Sequence, residues 1–214
     1  MNKATLSLAL LGDSVFDNKA YTQGAADVAQ QLRGNLPSGA KVTLCAVDGA
    51  TTTTYGPQLD RIPNDVTDLY LSLGGNDALE NADLLSMSCR SMGDALDIFR
   101  ERIEGFAESY GWALDATLGR APRTTVCTIY GADLPGVEGV RARTALGLFN
   151  DAILRQALQR GLDVLDLRAV CTEPEDFTMQ IEPSAQGGRK IAEAIAASLD
   201  FVPKARRTSR LLAG

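Results

Sequence analysis

The residues best suited to chemistry fall in three short clusters: Gly12-Asp13-Ser14, Asp48-Gly49-Ala50 with Thr51 to Thr54 behind it, and Gly74-Gly75-Asn76-Asp77. Each offers a different chemical part. A serine at a strand-to-helix turn can expose its hydroxyl as a nucleophile, where helix amides face developing negative charge. Gly49 lets backbone approach a ligand with no Cβ in the way. Asn76 is a neutral amide donor that can stabilise an oxyanion without adding a full charge. A nucleophile and two or three donors aimed at one oxygen would make an acyl-transfer site. Gly, Asn, Asp and Ser are also what any strand-to-helix turn favours, so one such cluster alone has an ordinary structural reading. Three of them sharing one sheet edge point to a site.

The elements that must position these clusters are alternating strands and helices. Apolar runs over residues 4–11, 41–47, 69–73, 124–130 and 163–167 read as strands, the first continuous enough to be buried on both faces. Residues 21–32 and 141–159 carry helical periodicity. Between them, Leu96, Phe99, Ile103, Phe106 and Tyr110 recur at helical spacing, with Asp94, Asp97, Glu101, Glu104 and Glu108 on the wet face. Ser184 is placed to cap a last helix whose Ile191, Ile195 and Leu199 face inward. This alternation predicts one α/β domain over residues 3–200: a three-layer α/β/α sandwich around a five-stranded parallel sheet, flavodoxin-like, with right-handed crossovers. Each polar cluster then lies just past the carboxyl end of a strand, where open α/β sheets hold their ligands. Residues 201–214 carry Lys204, Arg206, Arg207 and Arg210 and no acid, which predicts a solvated basic tail.

Composition removes several classes of function. The 214 residues are 45% hydrophobic and 22% charged, enough for a full core. A net charge of −6 argues against a general nucleic-acid partner, and 6% aromatics against stacking on single strands. There is no histidine, which excludes Ser-His and Cys-His pairs and any His-ligated metal. Any hydrolytic chemistry must therefore rely on carboxylates. No run approaches the roughly 18 apolar residues of a membrane span. Cys45, Cys89, Cys127 and Cys171 show no metal or redox spacing and read as small hydrophobes in a reducing compartment, so a cytoplasmic location is expected. Motifs for a nucleophile elbow, a P-loop, a dinucleotide fold and a zinc protease are all missing.

Gly12-Asp13-Ser14-Val15-Phe16-Asp17-Asn18, Gly49, Gly74-Gly75-Asn76-Asp77 and Ile181-Glu182-Pro183-Ser184 resemble, in order and spacing over most of the chain, the four blocks of the SGNH (GDSL-type) hydrolases. The resemblance implies a serine esterase or lipase-like acyl hydrolase that needs no metal or organic cofactor. It implies Ser14 as nucleophile, and the amides of Ser14 and Gly49 with the Asn76 side chain as oxyanion hole. The family's last block reads Asp-x-x-His, and those two positions here hold Met179 and Glu182.

Glu182 is thus the candidate base. An ordinary glutamate titrates near 4.3, and lifting it by ~2 units requires ~2.7 kcal/mol of preferential destabilisation of the anion. The N-terminus of the following helix would act the other way, predicting a modestly perturbed carboxylate and slow or pH-shifted turnover. Glu173, Glu175 and Asp176 either orient Glu182 or form a solvated acidic loop, and Asp13 and Asp77 read as turn anchors or caps. Residues 131–140 either cover the crevice or merely connect. The activity expected is cleavage of a small acyl or acetyl ester, a small-molecule substrate, through a Ser14 acyl-enzyme. The alternative is a binding module for an ester, acylated sugar or carboxylate that kept the crevice and lost the base. A carrier of a phosphorylated cofactor is a weaker third, because Asp13 and Asp77 would repel a phosphate. Oligomeric state leaves no signal in the sequence.

Overall fold

The computed structural model describes residues 6–121 and 123–199, and the basic tail expected over residues 201–214 lies outside them. Strand β1 (Ser7–Gly12) is buried along its whole length, as the central position in a parallel sheet demands. It pairs on one side with β2 (Lys41–Leu44) and on the other with β3 (Asp68–Ser72), which is followed by β4 (Arg123–Cys127) and β5 (Asp163–Leu165). All are parallel, in the order β2-β1-β3-β4-β5. The chain reverses its direction of growth between β1 and β3, so the crevice at their carboxyl ends is the switch point of the fold.

Side chains alternate across this sheet and divide the core in two. Leu8 and Leu10 pack with Val28 and Leu32 of α1 (Val28–Asn35) and Ile191 and Ile195 of α5 (Ala185–Ser198). Ala9 and Leu11 face the other layer, made by α3 (Met92–Leu118) and α4 (Gly136–Gln159) through Phe106, Tyr110, Phe149 and Ile153. The short α2 (Gly75–Glu80) leads from the end of β3 towards α3. The three-layer sandwich and the cap on α5 are as the sequence predicts: Ser184 Oγ accepts from the amides of Gln186 and Gly187, and Ile191, Ile195 and Leu199 are buried.

Several boundaries differ. The helix read from residue 21 starts only at Val28, because Gln23 and Gly24 adopt positive φ and Asp27 closes a capping box with Gln30. Strands β2, β4 and β5 stop two or three residues early, and the segment freed after β4 brings Ile129 and Tyr130 to the site. Helix α4 begins at Gly136 rather than at 141. The apolar stripe of α3 reaches the core only from its middle onwards: Phe106 and Tyr110 are buried, whereas Leu96 is 63% exposed. A small antiparallel hairpin, β6 (Phe177–Thr178) and β7 (Glu182–Pro183), has no counterpart in the sequence reading. Cys45, Cys127 and Cys171 are buried and Cys89 is exposed, all four as free thiols. Among the described residues no helix is long and apolar enough to cross a membrane.

Candidate active site

The site begins with the way β1 ends. Gly12 has φ +129, and a Cβ there would lie 1.8 Å from the Ser72 carbonyl oxygen of β3, so no other residue fits. Its N–H donates to Gln58 Oε1 at 2.8 Å, and its carbonyl accepts from Gln58 Nε2 at 2.7 Å. The next residue, Asp13, donates its N–H to Ser72 O at 3.1 Å and accepts the Val15 N–H on Oδ1 at 3.1 Å. Ser14 is carried on this tight turn and is only 8% exposed. Gln58, a buried amide in a short 3-10 helix (Gly56–Arg61), carries no periodic or motif signal that would have revealed its part.

Two further elements bring donors to the same place. Gly49, beyond β2, has φ +79 and open space where a Cβ would stand. Its N–H and that of Ser14 meet no acceptor among the described residues. Asn76, in the first turn of α2, gives one amide hydrogen to Ala50 O at 3.0 Å. A primary amide has two such hydrogens, so the ring from Gly49 to Asn76 is braced while one donor stays free. Asp77 anchors the threonine run, as expected, accepting the Thr52 hydroxyl at 2.5 Å and the Thr52 N–H at 3.2 Å.

Glu182 lies on β7 and lines the same cavity as Asp13, Ser14 and Asn76. The hairpin turns through Met179 and Gln180, with φ of 47° and 71°, and Met179 is 76% exposed. Three bonds clamp the segment that carries Glu182: Asn18 Nδ2 to Pro183 O at 3.1 Å, Tyr130 Oη to Ile181 O at 2.8 Å, and the Asp133 N–H to Gln180 O at 2.8 Å. Asn18 also accepts the Val28 N–H at 3.0 Å, tying the hairpin to the start of α1. Asn18 stands within the first polar block, but only the fold shows that it reaches a residue 165 positions away.

Burial pushes the Glu182 carboxyl above its ordinary range; the Ser14 hydroxyl beside it opposes the rise as a hydrogen-bonding neighbour, and Asp48 adds to it. Its Oε2 is buried with no hydrogen-bond partner. The helix N-terminus expected to hold Glu182 anionic is capped by Ser184 instead, so burial sets the direction. Asp13 goes further: burial, with the charges of Glu182 and Asp77 adding and the Val15 N–H opposing, pushes it up to about 7. Of the loop acids, Asp176 is wholly buried but committed elsewhere, to the amides of Thr172 and Glu173, to Gln186 and to Lys190 Nζ at 2.6 Å. Glu173 and Glu175 are exposed. None of the three bonds to Glu182.

The cavity beside Ser14 has a volume of about 450 Å³, and its far walls are apolar, with Leu84, Phe99, Leu146 and Phe149 among them. Residues 131, 132, 134 and 135 line it, so the segment after β4 covers the crevice rather than merely connecting. Asn150 holds that segment, bonding the N–H and carbonyl of Ile129 at 2.8 and 2.9 Å.

Comparison with known proteins places this geometry. Over residues 10–190 the chain matches the GDSL-like Lipase/Acylhydrolase family. No curated protein matches it by sequence. Among solved structures, it is similar to an extracellular lipase from Streptomyces rimosus, with 16% identity and a TM-score of 0.67 over 91% of this chain and 100% of that one. A phospholipase A1 from Streptomyces albidoflavus NA297 gives 19% and 0.62, covering 91% and 99%. An acetylxylan esterase from Geobacillus stearothermophilus gives 15% and 0.67, covering 94% and 97%. At such identities the likeness establishes a shared fold.

Proposed function

Since the chain belongs to the GDSL-like lipase/acylhydrolase family, whose chemistry is ester hydrolysis, we propose that it cleaves carboxylic esters through a Ser14 acyl-enzyme, with Glu182 as the base. The observation that carries this reading is the Glu182 carboxylate, held by three backbone clamps beside the Ser14 hydroxyl with one buried oxygen unpartnered. An unsatisfied buried oxygen costs about 1–3 kcal/mol and persists where the surrounding structure imposes it.

In the proposed cycle the Ser14 hydroxyl proton passes to Glu182 as Oγ bonds to the ester carbonyl carbon. The carbonyl oxygen takes the negative charge and is met by the N–H groups of Ser14 and Gly49 and the free Asn76 amide hydrogen. Collapse breaks the bond to the alcohol oxygen, which takes the proton back from Glu182. Water then repeats the sequence to release the acid. A base works best with a pKa near the working pH, and burial moves Glu182 in that direction. The steps need no metal or organic cofactor. The free thiols, one of them exposed, support a reducing compartment.

The rival is a silent binding module, favoured by one observation: Met179, where the family carries its second acid, points to solvent and cannot orient Glu182. A fluorophosphonate probe and an ester panel across about pH 5 to 9 decide between them. The enzyme reading requires labelling that Ser14→Ala abolishes, and turnover that Glu182→Gln lowers by roughly 10²–10⁴-fold. Equal rates and equal pH profiles for wild type and Glu182→Gln would end the role given to Glu182. A folded protein inert to the probe and to every ester would favour the binder.

A further inference from the structure

The shape of the cavity says more about the substrate than the reacting groups do. Its reactive end is polar, with Asp13, Ser14, Asn76 and Glu182, and the remainder is mostly apolar, with Asn81, Glu138, Arg143 and Gln180 among its other polar side chains. One face of α4 forms a long wall: Gly139, Ala142, Ala145, Leu146 and Phe149 recur at helical spacing along it. Leu84 and Phe99 stand on the cavity's other walls, and Phe99 belongs to the half of α3 whose apolar stripe leaves the core. Among the described residues, Phe99 is the one α3 residue on the lining; much of the apolar surface outside α4 comes from Ala78, Leu79, Leu84 and Leu85, in and just after α2. Small side chains at Ala142 and Ala145 keep the cavity open. An acetyl group would touch only the polar end, leaving most of the apolar wall bare.

We infer that this protein selects esters of medium-length, unbranched fatty acids, with the acyl chain lying between α4 and the segment of residues 78–85 and Ala142 and Ala145 limiting its length. The inference narrows the small acyl or acetyl expectation and rests on Ser14 being the point of attack. About 450 Å³ falls within the range of sites that enclose a whole small ligand. Each methylene buried there is worth up to about fourfold in kcat/KM. The charged groups on this side of the lining are Glu138, paired with Arg141, and Arg143, which donates to the Leu134 carbonyl; the other α4 residues there, Gly139, Ala142, Ala145, Leu146 and Phe149, offer a sugar no hydrogen-bonding side chain.

The test is a series of p-nitrophenyl esters from acetate to decanoate, together with binding of sodium decanoate to the Ser14→Ala protein by calorimetry. The expected result is kcat/KM rising about two- to fourfold per methylene through the middle of the series, and saturable decanoate binding. Ala142→Phe and Ala145→Phe should each lower the ratio of decanoate-ester to acetate-ester rates by at least about tenfold. A ratio within one preparation is insensitive to the folded fraction. Acetate cleaved as fast as the longer esters, with no decanoate bound, overturns the acyl subsite and leaves the Ser14–Glu182 reading standing. Decanoate bound, and weakened by Ala142→Phe, while no ester is cleaved, keeps the subsite and overturns the catalytic reading. Chain-length preference unmoved by both phenylalanine variants refutes the placement along α4.

Discussion

Asp13 offers the sharpest test of the electrostatics, because its effect on stability has a sign and a pH window. Its carboxyl is 3% exposed and pushed from an ordinary 3.8 to about 7, chiefly by burial. Below about pH 4 the group is protonated in the folded and unfolded chain alike and contributes nothing. Between about pH 4 and 7 the unfolded chain gives up this proton while the folded one keeps it. The folded state then binds more protons, so stability falls as pH rises. Above about pH 7 the loss is complete. A shift of about 3 units corresponds to roughly 4 kcal/mol. Because Glu182 shares the penalty, a loss of about 2 kcal/mol or more is the quantity to look for.

Asp13→Asn isolates this term. Asparagine stays neutral at every pH, and its Oδ1 can still accept the Val15 N–H, so the turn that carries Ser14 is kept. Urea unfolding of both proteins should give matching midpoints near pH 4. At pH 8 the variant's midpoint should lie roughly 1 M higher, given the usual dependence of stability on urea. A constant difference between the two proteins from pH 4 to pH 8 would refute the reasoning, since a packing effect has no pH dependence.

The other predictions concern the frame of the site. Asn18→Ala orphans the Pro183 carbonyl and the Val28 N–H, so it should cost about 2–4 kcal/mol in urea unfolding and lower kcat more than it changes KM. Lys190→Met removes the ion partner of buried Asp176, whose pKa Lys190 and its other donors hold below the ordinary value against burial. It should destabilise by about 1–3 kcal/mol at pH 7, and the difference should shrink as pH falls through the Asp176 titration. Glu182→His should raise ester turnover at pH 8, where an imidazole is neutral, by at least about tenfold. Adding Met179→Asp should change that rate by less than about threefold, because position 179 is exposed and solvent screens its charge.

What the sequence disclosed and what it hid divide along physical lines. The polar clusters at the ends of β1, β2 and β3 were legible because glycine and short polar residues mark such turns, and β–α alternation dictates on which edge they meet. The stripe on α3 was legible as an amphipathic face. Periodicity, however, cannot tell whether such a face meets the core, a cavity or solvent: Phe106 is buried, Phe99 lines the cavity and Leu96 is exposed. Gln58, Asn18 and Tyr130 were hidden for a different reason. Each acts through a hydrogen bond across 46 to 165 positions, and long-range bonds leave no local pattern. The hairpin β6–β7 was missed because two-residue strands fall below any period that can be counted.

A chain without histidine has few ways to take a proton from a serine at neutral pH. A solvated glutamate is too weak a base, and one buried without support would leave its backbone free to swing away. In the proposed cycle the hairpin meets both demands at once. Burial raises the proton affinity of Glu182, and Asn18, Tyr130 and Asp133 hold the carbonyls of Pro183, Ile181 and Gln180 on either side of it, with the Ser14 hydroxyl as its neighbour. Asp13 is the counterpart of that arrangement. Two carboxyls that share one site resist ionising together, and Glu182 adds to the rise at Asp13; below about pH 7 Asp13 is mainly protonated, which in the proposed cycle leaves the charge to Glu182.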